Sequence, residues 1–103
     1  MENSEIILSM IIPVYNVELY LKECLDSIFV HQKISHKIEV IAVNDGSTDR
    51  SGEILNEYKQ QYGLVLFEQD SSGPGGARNT AIKAARGKYL LFVDSDDYLV
   101  PGS

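Results

Sequence analysis

Three carboxylates crowd into four positions: Asp94, Asp96 and Asp97 of "DSDD" (residues 94–97) follow directly on an apolar run. In an extended chain Asp94 and Asp96 project to the same side, with Cα atoms roughly 6–7 Å apart. Such a pair can share a hard cation, or one member can bind a metal while the other accepts a hydroxyl. Mg2+ and Mn2+ are commonly held by one or two carboxylates together with substrate phosphates. Taken alone, the segment reads equally well as an acidic surface turn. "NDGSTD" (44–49) reads as a turn and a helix start, with Gly46 relaxing the backbone, Thr48 capping, and Asp45 able to accept from a ligand N–H or hydroxyl. "GPGGARN" (73–79) offers backbone N–H groups near a helix start, where anions bind, and adds the cation of Arg78. It matches neither the phosphate loop ending in Lys-Ser/Thr nor G-x-G-x-x-G after a first strand. Tyr15 of "PVYN" (13–16) either packs in the core, the reading favoured slightly here, or stacks on a flat ligand.

Each cluster follows one of four apolar runs: "IILSMII" (6–12), "IEVIAV" (38–43), "LVLF" (64–67) and "YLLFV" (89–93). Their Ile, Val, Leu and aromatic content, unbroken in the last, suits strands covered on both faces of a parallel sheet. Three helical stripes separate them. The first runs from Val17 to about Val30 with Leu21, Cys24, Leu25, Ile28 and Phe29 inward and Asn16 as its cap. The second runs from near Thr48 to Gly63, a left-handed stop, with Ile54, Leu55, Tyr58 and Tyr62 inward. The third spans about Gly76 to Arg86, with Ala77, Ala81, Ile82 and Ala85 inward, its small residues suggesting close packing on the sheet, and Gly87 as its stop. The expected fold is α/β, a Rossmann-like open, mainly parallel sheet with helices on both faces and right-handed crossovers. In such sheets ligands bind beyond the carboxyl ends of the strands, where all four polar clusters lie.

With 103 residues the chain supports one small domain. The net charge of -6 argues against nucleic acid, whose phosphates are bound mainly by Lys and Arg, and implies that a phosphate-bearing ligand needs a metal cation or a few well-placed donors. The single Cys24 lies on an apolar stripe and reads as a buried reduced thiol. His31 and His36 have no metal-ligand spacing and read as surface residues. No targeting segment and no membrane span is visible, so the expected location is cytoplasmic, with membrane tethering of a longer parent protein left open.

Together the segments "SMIIPVYNVELYLKECLDSI", "IEVIAVNDGSTDRSGEIL" and "GPGGARNTAIKAARGKYLLFVDSDD" resemble the family 2 glycosyltransferases, enzymes of GT-A fold that use nucleotide-activated sugars. The resemblance spans residues 9 to 97 and implies strand order 3-2-1-4. It implies that Pro13 and Tyr15 border the nucleotide base and that Asp45 accepts from that base, usually uracil. Asp94 would face the ribose or metal, Ser95 would sit beside the nucleotide, Asp96 would ligate Mg2+ or Mn2+ in a DXD pattern, and Asp97 would support it. Arg78 would lie near the nucleotide. On this reading residues 1–103 are the nucleotide-sugar-binding half of the domain. The acceptor site, for a saccharide or lipid-linked acceptor, and the catalytic base belong to the family's second half. An open sheet edge at the fourth strand is then expected, with self-association through it.

Two other enzyme or binding classes fit less well. A nucleotidyltransferase commonly carries a Gly-rich basic loop after its first strand, where this chain has "PVYN". A phospho-receiver has its acid pair after the first strand and its acceptor Asp after the third, whereas here acids follow the second and fourth. A non-catalytic chain that only self-associates is a further alternative.

Overall fold

The computed structural model describes residues 5–30, 35–70 and 73–94, with backbone alone at 73 and 74. His31, Ser95, Asp96 and Asp97 therefore lie outside the described residues. The elements are β1 (Leu8–Val14), α1 (Glu18–Phe29), β2 (Ile38–Asp45), α2 (Ser51–Tyr62), β3 (Val65–Gln69), α3 (Gly73–Ala84) and β4 (Tyr89–Phe92). All three strand pairings are parallel and the sheet order is β3-β2-β1-β4, as the resemblance implied.

Alternation along the inner strands splits the core into two layers, because successive side chains leave a strand on opposite faces. Met10, Ile12, Val14, Val40 and Ala42 face α1 and α2, where Leu21, Cys24, Leu25, Ile28, Leu55 and Tyr58 meet them. Ile11, Ile41 and Val43 face α3 through Ala77 and Ala81, whose small side chains let the helix sit close. Tyr62 lies at the rim of the first layer, its ring stacked on Phe29 with centroids 5.0 Å apart. Tyr58 donates its hydroxyl to Asp26, joining α2 to α1. Burial and that carboxylate push the Tyr58 phenol well above its ordinary range.

Several boundaries differ from the sequence expectations, for identifiable reasons. β2 and β3 run past their apolar residues to Asp45 and Gln69, because the parallel ladder continues to the pair Asp45–Gln69. β1 continues through Pro13 to Val14, where pairing with β4 has already ended at Ile11–Phe92, so the proline's missing N–H removes no bond to that neighbour. α3 begins at Gly73 rather than Gly76; a proline at its second position is tolerated because first-turn amides have no intrahelical acceptor. β4 is not covered on both faces: Tyr89, Leu90, Leu91 and Phe92 are 66%, 42%, 40% and 46% exposed.

Gly87 is not a left-handed helix stop. α3 ends at Ala84, and the positive-φ glycines described are Gly46 and Gly63. Gly87 instead passes against β1, its amide donating to Ser9 Oγ at 2.9 Å. The Ser9 hydroxyl donates in turn to Glu39 Oε2 at 2.6 Å, and the same oxygen accepts from the Arg86 amide at 2.6 Å. Arg86 Nε is 3.3 Å from the other Glu39 oxygen. Burial pushes the Glu39 carboxyl up, but the Ser9 hydroxyl and the Arg86 amide and guanidinium outweigh it and hold the group below its usual range. This cluster, with Ser9 and Glu39 buried and the Arg86 side chain exposed, fastens the α3–β4 connection to β1 and β2, and so sets where β4 delivers Asp94.

Candidate functional site

The carboxyl edge of the sheet gathers the candidate residues. Tyr15 follows β1 and is half exposed, so the packing reading is not the one realised. Pro13 is half-buried within β1, beside Val43 of β2. Asp45 ends β2 and is only 4% exposed. Asp94 follows β4 and is exposed, leaving the sheet just past the amide of Val93, which donates to Ile11 O at 2.9 Å. The buried Cys24 thiol of α1 lies 3.7 Å from the Asp94 carbonyl oxygen, a long weak contact from the helix layer to this chain exit. Arg78 rises from the first half of α3, exposed, with its guanidinium carbon 5.9 Å from the centre of the Phe92 ring. No ion pair joins Arg78 to Asp94 among the described residues.

The loops after β1 and β2 are tied to each other, and this corrects both expected helix caps. Asn16 does not cap α1 and Thr48 does not cap α2; the cap positions are Val17 and Arg50, and neither side chain caps. Asn16 instead adopts the left-handed conformation (φ 51°), which asparagine tolerates better than most residues. Its Oδ1 accepts from the amides of Thr48 (2.8 Å) and Asp49 (3.3 Å), and its own amide donates to Ser47 Oγ at 3.1 Å. The two helix starts then cap one another. Ser51 Oγ accepts from the Val17 amide and Asp49 Oδ2 from the Glu18 amide, while Glu18 Oε1 accepts from the Arg50 amide, each at 3.1 Å. Partial burial pushes the Asp49 carboxyl up, but the Ser51 and Glu18 donors outweigh it and hold it below its usual range. Tyr15 and the strand end at Asp45 therefore adjoin loops locked in mutual position.

Two residues that the sequence reading passed over meet Asp45. Gln69 Nε2 donates to Asp45 Oδ1 at 3.0 Å, and the Thr80 hydroxyl donates to Gln69 Oε1 at 2.5 Å. The signal available was slight: Gln69 follows an apolar run, and Thr80 is a polar member of the helix face that carries Ala77 and Ala81. Beside this trio a shallow depression is lined by Asn44, Gly46, Ser47, Glu68, Gln69 and Asp70. A larger groove of about 600 Å3 opens at the opposite, amino-terminal edge, among Phe29, Ile38, Glu39, Tyr62 and Arg86. It brings together none of the candidate residues, and in parallel sheets ligands enter at the carboxyl edge, so chemistry rather than size selects the site.

Hard carboxylate donors at this edge suit Mg2+ or Mn2+ rather than a soft metal. Among the described residues no group of three or more His, Cys, Asp or Glu side chains forms a metal centre, and the Asp96 part of the expected ligand pair lies outside them. No described helix is long and apolar enough to cross a membrane.

A parallel sheet of order 3-2-1-4 with acid-bearing loops at its carboxyl edge defines an open α/β fold, and comparison with known proteins gives the family. The model of glycosyl transferase family 2 matches residues 9–103, and the chain belongs to that family. It is 50% identical over 95 residues to a poly(ribitol-phosphate) beta-glucosyltransferase of Bacillus spizizenii, covering 89% of this chain and 15% of that protein. Staphylococcus aureus TarS, residues 1–349, solved in complex with UDP-GlcNAc, matches with a TM-score of 0.82 at 41% identity, over 90% of this chain and 27% of that one. A Pyrobaculum calidifontis mannosyltransferase in complex with GDP-Man and Mn2+ matches with a TM-score of 0.76 at 28% identity, over 88% and 28% respectively. The chain thus spans less than a third of the length of each of these relatives.

Proposed function

We propose that residues 1–103 form the nucleotide-sugar-binding half of a metal-dependent glycosyltransferase domain. The reaction is transfer of a sugar from a nucleotide-diphosphate donor, with UDP as the expected carrier, to an acceptor hydroxyl. The acceptor is a saccharide or lipid-linked chain of the cell surface. The supporting observation is that Pro13 and Tyr15, Asp45 and Asp94 sit at the carboxyl ends of β1, β2 and β4, with Arg78 over the Phe92 ring of β4, in a fold that superposes on a UDP-GlcNAc complex with a TM-score of 0.82.

Within this reading Tyr15 and Pro13 border the base, and Asp45 accepts a hydrogen bond from it. Arg78 contributes positive charge beside the nucleotide, and Asp94 and Ser95 approach the ribose. Asp94 and Asp96 hold the divalent cation. The exposure of Asp94 at the sheet edge fits that role, since an ion shared with a ligand needs a carboxylate reachable from solvent. When bound, the ion supplies neutralisation of charge on the departing diphosphate. The chain's own work is to bind and orient the donor; deprotonation of the acceptor falls to a carboxylate of the family's second half. Among the described residues no strand pairs with the outer side of β4, four consecutive apolar side chains of which are exposed, and in this reading copies associate there.

Isothermal calorimetry with UDP and Mn2+ tests the proposal. Heat that depends on both components is expected. A folded sample giving no heat with any nucleoside diphosphate, with or without metal, sinks it. Light scattering on the same sample checks the association.

A further inference from the structure

We infer that Gln69, anchored by Thr80, is a positioning residue for base selection: it holds the Asp45 carboxylate as an acceptor in one fixed orientation. The inference rests on the reading of Asp45 as the base contact. Three elements meet here. Asp45 and Gln69 are the last paired residues of β2 and β3, and Thr80 comes from α3. An ionised carboxylate only accepts, so the Gln69 amide must turn its N–H toward Asp45 Oδ1, at 3.0 Å. Its carbonyl oxygen is thereby turned to Thr80, whose hydroxyl donates to it at 2.5 Å. The amide is thus oriented from both ends. The Thr80 oxygen also lies 3.1 Å from the Gly76 carbonyl oxygen, one helical turn back, which keeps the hydroxyl close to the helix backbone.

The consequence is chemical. A buried acceptor whose Oδ1 is held by the Gln69 amide keeps its orientation, so it discriminates by what the base offers. Uracil presents an imino N–H at N3; cytosine presents a bare acceptor there, and two acceptors facing each other are left unsatisfied. Without Gln69 the Asp45 side chain loses the donor that fixes Oδ1, and the penalty on cytosine falls. Thr80 acts one bond further back, and it also ties base recognition to the helix that carries Arg78.

The experiment titrates the full chain with UDP, CDP and inorganic pyrophosphate, each with Mn2+, comparing wild type with Gln69→Leu, Thr80→Val and Asp45→Asn. Loss of one hydrogen bond to a charged group predicts about a tenfold loss of UDP affinity in Gln69→Leu. The UDP:CDP preference should narrow by a similar factor while pyrophosphate affinity holds. Thr80→Val should move the same ratio in the same direction by about threefold. An unchanged ratio in Gln69→Leu, beside a collapsed ratio in Asp45→Asn, overturns this inference and leaves the base contact standing. An unchanged ratio in Asp45→Asn removes the base contact, and the inference with it. Should Gln69→Leu fail to fold, the nearly isosteric Thr80→Val decides, and an unaltered ratio there refutes the relay.

Discussion

Gly87→Ala should be among the most damaging single-methyl additions this fold can receive. A Cβ built at Gly87 would lie 2.6 Å from the Ser9 nitrogen, 2.7 Å from Ser9 Oγ and 2.8 Å from the Leu8 carbonyl carbon. Two of those atoms are backbone of β1, the central strand, so relief requires the α3–β4 connection to move away. That movement stretches the Gly87 amide bond to Ser9 Oγ and loosens the Ser9–Glu39–Arg86 cluster behind it. Overpacking of this kind costs about 1–3 kcal/mol. A weakened hydrogen bond adds about 0.5–1.5 kcal/mol, for a total of about 2–4 kcal/mol. In a chain of this size the midpoint of thermal unfolding should fall by about 10 °C or more. Close approach and left-handed backbone make opposite predictions for asparagine. Asparagine tolerates positive φ, so it would be the better substitute at a left-handed stop, but it is bulkier than alanine and gains nothing where space is the limit. Gly63 supplies the contrast: its φ is 80° and nothing lies within 4 Å of its Cβ position. There alanine should cost about 1–2 kcal/mol and asparagine less. Thermal and urea denaturation of the four variants against wild type decides the matter. If Gly87→Asn proves clearly more stable than Gly87→Ala, or Gly87→Ala lies within about 0.5 kcal/mol of wild type, the steric argument is wrong.

Other perturbations separate binding from support. Asn16→Ala removes the acceptor of the Thr48 and Asp49 amides and puts alanine at φ 51°, so urea unfolding should show a loss of about 1–3 kcal/mol. Asn16→Gly should recover only the backbone share. Glu39 is held below its usual range in the folded chain, so its stabilisation is complete above the ordinary carboxylate pKa and fades as pH falls through the folded value. Wild type should therefore lose stability more steeply than Glu39→Gln between roughly pH 5 and pH 3, and parallel curves would count against the ionised cluster. Asp94→Asn, at an exposed site, should leave stability within about 0.5 kcal/mol of wild type while removing the Mn2+-dependent part of UDP binding. Retention of that dependence would shift the metal assignment to other residues.

The element order was legible because the apolar runs and helical stripes are unambiguous over residues 6–93, and the covered faces of β1 and β2 follow from their composition. Strand order was not legible from periodicity; it came from the family resemblance and agrees with the observed sheet. The ends of β2 and β3 were missed because Asp45 and Gln69 are polar, and only the ladder between them makes them strand. The capping expectations for Asn16 and Thr48 assumed that a polar residue serves the helix that follows it. Here the partners of Asn16 lie about 32 positions away, on the neighbouring loop, a distance no local rule spans. Gly87 shows the same limit: glycine after a helix has two uses, and only the position of β1 distinguishes them. Of the site, Asp45 and Arg78 were marked by residue type, whereas Gln69 and Thr80 matter through contacts that appear only once three elements have assembled.

The strand order also bears on how the chain reaches this state. β1 precedes the other described strands and occupies an inner place in the sheet, yet its partner on one side, at Leu8–Tyr89, comes from the far end of the described residues. Local contacts can assemble β1, α1, β2, α2 and β3 while one flank of β1 waits for β4. Pairings this distant in sequence close slowly, since loop entropy must be met before the contact rewards it. During synthesis on the ribosome, the unfilled flank of β1 is the surface that a chaperone or a misplaced strand would meet first.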